Sequence, residues 1–69
     1  MSDHVYKTIE ITGSSTDGVT QAIDRAVSKA SQSLRALDWF EVTEIRGHIE
    51  EGTVAHYQVT LKVGFRLEG

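Results

Sequence analysis

The chain contains no cysteine, which excludes a disulfide framework, a thiolate metal site and a thiol nucleophile together. At 69 residues it reads as one small domain, residues 1–69. A chain of that size buries only about 60% of the surface its unfolded form exposes. Without a covalent staple, self-association or a bound ligand must complete a marginal core, so an oligomer is expected. Basic charge is also in short supply: seven Lys and Arg against ten Asp and Glu give a net charge of −3. A nucleic-acid binder would carry a basic balance or stripe, and nucleic acid is set aside as a partner. No apolar run approaches the roughly 20 residues of a membrane span, and the first residues lack the apolar segment of a signal peptide. The expected location is the cytoplasm, with no membrane partner.

Patterns that carry catalysis are missing too. His4, His48 and His56 are scattered along the chain and keep no nucleophile or metal-site company. Glu41 and Glu44 do not share a face of a regular strand, which argues against a two-carboxylate acid/base site. Gly13 and Gly18 are not embedded in a GxxxxGK[ST] phosphate loop. No catalytic residue and no metal ligand is assigned, and the chain is not read as an enzyme.

What is present is a clear change of period along the chain. Val5, Ile9 and Ile11 alternate with polar residues and predict a strand over roughly 4–12. A Gly- and Ser-rich break follows, with Ser15 as the expected helix N-cap and Asp17 in the first turn, complementing the helix dipole. Val19, Ala22, Ile23, Ala26, Val27, Ala30, Leu34 and Leu37 then fall at steps of three and four. They define one apolar stripe on a helix from about 16 to 36. From Asp38 the period becomes two, with Phe40 and Val42 on one side. Ile45, Gly47 and Ile49 continue in the opposite parity, so a bulge or bend is expected near Thr43 and Glu44. Glu50-Glu51-Gly52-Thr53 reads as a hairpin turn. In the last strand Ala55, Tyr57, Val59, Leu61, Val63, Phe65 and Leu67 form one unbroken apolar face. The order is β-α-β-β, an α+β fold in which a three-stranded antiparallel sheet curls around one amphipathic helix and keeps its second face polar.

Trp39 is the single tryptophan, and it alternates with Glu41 and Thr43 rather than with Phe40 and Val42. Either it caps the core from an edge, or it stands on the polar face as a stacking wall for a planar ligand. Pairing about the Glu51-Gly52 turn places Gln58 opposite Arg46, and Arg66 near Asp38 and Trp39. Gln58 on a solvated strand face is ordinary surface unless that face has a ligand. Together, an indole, an amide and two guanidinium groups suit a flat heterocycle with an anionic tail.

The runs Leu37-Asp38-Trp39-Phe40-Glu41-Val42, Glu44-Ile45-Arg46-Gly47, Tyr57-Gln58-Val59 and Gly64-Phe65-Arg66-Leu67 closely resemble the dodecins. The likeness extends over essentially the whole chain, including Tyr6-Lys7 and the Ser-rich opening of the helix. The resemblance implies a hollow homododecamer that binds flavins as stacked pairs, each ring held between a tryptophan and a glutamine. Carried over, Trp39 matches the indole wall and Gln58 the glutamine. Arg46 and Arg66 match polar and phosphate-side contacts, and Asp38 the flavin edge. Similarity to the bacterial branch points to FMN, with riboflavin or lumichrome as alternatives. Some members also bind coenzyme A, for which no residue is assigned. The implied role is flavin storage and photoprotection. A flavin-dependent enzyme and a ligand-free structural oligomer are the competing readings.

Overall fold

The computed structural model describes residues 3–67. Four elements follow in the expected order: β1 (Tyr6–Ser15), α1 (Val19–Ser31), β2 (Leu37–Glu50) and β3 (Thr53–Arg66). They form one antiparallel sheet in the order β1-β3-β2. The last strand is therefore central, which explains why its alternation is the cleanest: it is the strand packed along both edges. Val59, Leu61 and Val63 on its inner face are buried, together with Ala22 and Ala26 of the helix. Ile9, Ile11, Val19, Ile23, Val27, Leu37 and Val42 pack around them.

Three boundaries differ from the sequence expectation. β1 runs on to Ser15, which pairs with Tyr57, because Gly13 and Ser14 keep extended geometry under the helix. Ser15 is consequently not the N-cap. Its buried hydroxyl accepts a hydrogen bond from the Asp17 backbone N–H at 2.9 Å, which closes the turn before the helix. The cap position is Gly18, whose carbonyl accepts the Ala22 N–H at 3.1 Å. Asp17 lies ahead of the first turn and makes an exposed ion pair with Arg25 at 3.4 Å, worth little in water. The helix also stops at Ser31 rather than near 36. The Ser31 hydroxyl bonds back to the Ser28 carbonyl at 2.7 Å, competing with the ladder, and Ala36 turns the chain with a φ of 61°. Leu34 falls in the connection, and Leu37 keeps the apolar spacing but packs on the core from β2.

Helix and sheet approach closely at Gly13. A Cβ there would sit 2.8 Å from the Ala26 Cβ and closer still to the Ala22 carbonyl oxygen. We expect Gly13→Ala to lift the helix from the sheet and cost about 1–3 kcal/mol, measurable by thermal or urea unfolding.

The expected bulge near Thr43 is present as a shift between Val42 and Glu44, and it is joined by shifts at Leu37/Trp39 and His48/Ile49. The hairpin turn has positive φ at Glu51 (50°) and Gly52 (79°), the type I′ geometry that matches strand twist. Ile49 keeps the inner parity expected with Ile45 and Gly47, because the third shift skips Ala55 of β3 and adds no residue to β2, and it is 69% exposed.

The helix lies over β1 and β3 and leaves much of β2 uncovered: Phe40 and Ile45, on the inner side, are 50% and 59% exposed. The chain has a radius of gyration of 14.4 Å, where a compact domain of this length has about 11 Å. Its accessible surface is 5175 Å², against about 4,300 Å² for a compact monomer of this mass. Apolar surface of that kind is what a partner copy would cover.

Candidate functional site on the outer sheet face

The shift at Leu37/Trp39 decides where the tryptophan goes. Leu37 pairs with Phe65 and packs on the core, and Trp39 pairs with Gly64 on the opposite face. Two residues apart in a regular strand they would share a side; the extra residue, Asp38, sends them to opposite sides. Of the two positions left open for Trp39, the structure adopts the polar face, while Phe40 turns inward opposite Val63.

The indole lies against the backbone of Gly64. A Cβ built on that glycine would fall inside the ring system, 2.7 Å from Cδ2 and nearer still to Cε2 and Cζ2. Gly64 is thus a cradle that a side chain would fill, and it is a candidate site residue to which the sequence reading gave no role although it opens one of the matching runs. A glycine in a central strand opposite the sole tryptophan was its signal. Trp39 itself remains 41% exposed, so one face of the ring is held by backbone and the other is available.

Cross-strand rows build the rest of the face. Ser14, Gln58 and Arg46 form one row, and Glu10, Lys62 and Glu41 another. The expected pairing of Gln58 with Arg46 holds. Arg66 stays in the neighbourhood of Asp38 and Trp39 expected for it, although the extra residue at Asp38 brings it level with Ala36. Its backbone N–H donates to the Ala36 carbonyl at 3.3 Å, and it lines a small hollow with Ala36, Leu37 and Asp38.

The face therefore carries two separate groups. Trp39, Asp38 and Arg66 stand at one end, Arg46 and Gln58 at the other. Gln58 lies six positions along β3 from Gly64, about 20 Å at strand rise. Walls on either side of one planar ring need to be only about 7 Å apart. A single chain therefore does not bring Trp39 and Gln58 together around one ligand, although both present to the same face. His48 and His56, scattered in sequence, are directly opposed in the hairpin; their meeting was implicit in the same pairing that joined Arg46 to Gln58.

Among the described residues no helix is long and apolar enough to cross a membrane. Comparisons with known proteins agree on one family. The dodecin family model matches residues 5–68. Over 64 residues the chain is 56% identical to the dodecin of Thermus thermophilus, covering 93% of each protein. The structure of dodecin from Streptomyces coelicolor superimposes with a TM-score of 0.93 at 62% identity, covering 100% of this chain and 99% of that one. Dodecin from Streptomyces davaonensis gives 0.92 at 53% identity, covering 99% and 100%. With its β-α-β-β order, its central last strand and this agreement over nearly the full length, the chain belongs to the dodecin family.

Proposed function

We propose that the protein binds and stores a flavin without turning it over, FMN in the first instance and riboflavin or lumichrome as alternatives. The observation that carries this reading is the Trp39 indole, seated on Gly64 with its other face open on a polar sheet surface. A core tryptophan would be buried among apolar neighbours; one backed by bare backbone is placed to stack. Membership of the dodecins supports flavin binding at the level of the family.

The spacing of the two walls gives the site its form. Since Trp39 and Gln58 stand about 20 Å apart along the sheet, a ring held between an indole and a glutamine takes Trp39 from one copy and Gln58 from another. Ligand site and oligomer are then one construction, and each chain contributes one wall of each kind. A homododecamer with a hollow interior, its flavins stacked in pairs, is the assembly this reading adopts. It would also cover the apolar surface that β2 leaves open.

Bound, the flavin supplies a planar, light-absorbing, redox-active ring. Trp39 supplies an electron-rich surface that quenches the excited ring and so protects the surroundings from its photochemistry. Gln58 donates and accepts hydrogen bonds over the opposite face. Arg46 and Arg66 offer forked donors for phosphate and ring oxygens, and Asp38 an acceptor at the ring edge. Storage in the cytoplasm is the role proposed, with coenzyme A a candidate second ligand to which no residue is assigned.

Titrating FMN into the apo protein under dim light should quench flavin fluorescence and saturate at one flavin per chain. Native mass spectrometry should give a twelve-chain mass. Gln58→Ala should keep that mass and weaken FMN binding by about 1 kcal/mol, roughly fivefold. Absence of quenching by FMN, riboflavin and lumichrome alike would overturn the reading and leave Trp39 an assembly residue. Full binding by a monomer would overturn the shared site.

A further inference from the structure

His48 and His56 face each other directly across β2 and β3. Their rings are stacked, with centroids 5.6 Å apart and an interplanar angle of 21°. Glu50 brings a carboxylate oxygen to 3.6 Å from His48 Nε2. Two imidazoles and one carboxylate thus gather at the hairpin end of the sheet, one row beyond Arg46 and Gln58. Each neutral ring has one nitrogen free to accept a proton or a metal ion.

We propose that this pair is a binding site for a divalent transition-metal ion of the zinc or copper class, made of no residue assigned to the flavin. Imidazole nitrogen is a good ligand for Zn²⁺ and Cu²⁺, with bonds of about 2.0–2.1 Å to zinc. Directly opposed strand residues have Cβ atoms about 4.5–5.5 Å apart. A rotation about χ2 of each ring turns both edges toward one point without moving the backbone. Glu50 then has two possible uses: as a third ligand, or as an acceptor that orients the second nitrogen of His48. No group of three ligating side chains is already gathered for a metal among the described residues, so the ion draws the rings together as it binds. The remaining coordination positions go to water, which makes the site open.

The test uses the tag-free assembled protein and the metal alone. Zn²⁺ titration calorimetry should show one saturable site per chain. Copper electron paramagnetic resonance should show coupling to two nitrogens. His56→Ala and His48→Ala should each weaken binding by at least about tenfold, the lower end of what even a supporting partner of a metal ligand contributes. His4→Ala should leave binding unchanged. If His56→Ala fails to assemble, His48→Ala, on the edge strand, carries the same prediction. Unsaturable uptake would overturn the proposal, as would binding retained in both hairpin variants or lost in His4→Ala.

Discussion

Trp39→Ala should weaken FMN binding roughly thirtyfold and restore most of the fluorescence that the wild-type protein quenches. Stacking of a heteroaromatic ring on an aromatic side chain contributes about 1–3 kcal/mol by alanine substitution, and 2 kcal/mol corresponds to about thirtyfold in Kd. The fold should tolerate the change, because the indole lies outside the buried cluster of Ala22, Ala26, Val59, Leu61 and Val63 and rests on backbone. Circular dichroism and native mass spectrometry would establish an intact assembly. A variant that binds FMN as tightly as wild type would remove Trp39 from the site.

Gly64→Val should produce nearly the same loss, although that residue offers no side chain to any ligand. The added Cβ would occupy the space of the indole, so the ring must leave its seat. Valine suits a central strand, which offsets part of the 1–3 kcal/mol that overpacking usually costs. FMN affinity should fall by about tenfold or more while the sheet survives, since 1.4 kcal/mol of lost stacking is enough. The two changes act on one structural unit and should not add: Gly64→Val introduced into Trp39→Ala should weaken FMN little further. Additive losses would mean that Gly64 acts through something other than the indole.

The sequence made the architecture readable because period and turn chemistry agree. A helical stripe gives way to alternation at Asp38, the hairpin is centred on Glu51-Gly52, and the pairing of Arg46 with Gln58 follows from that centre. The parity reversal around Thr43 also announced its bulge. Other features left weaker marks. Ser15 has the chemistry of a cap, but its hydroxyl is used in a turn before the helix. Leu37 keeps helical spacing after the helix has ended, because what the spacing reports is a shared core rather than a shared backbone geometry. Asp38 as an extra residue cannot be told from an ordinary strand residue by polarity. Yet it sets Trp39 on the outer face. The 20 Å between the two walls becomes visible only once the strand rise is laid along a fixed register. A residue pattern names the members of such a site without giving the distance between them.

The irregularities of β2 have a consequence for how copies can meet. An exposed edge strand is a template on which another chain can add by backbone hydrogen bonding, the route to open fibres. In β2 the extra residues Asp38 and Thr43 leave in-register stretches only at 39–42 and 44–50, the latter facing a further slip in β3 at Ala55. Each bulge bends the strand and throws its outward N–H and C=O groups out of step. An incoming strand would lose its pairing within a few residues. Growth by sheet extension is thereby discouraged, and contact through side-chain faces is favoured. Faces held at fixed angles can return to their starting point and close. The same extra residue that turns the tryptophan outward therefore also works against growth into a filament.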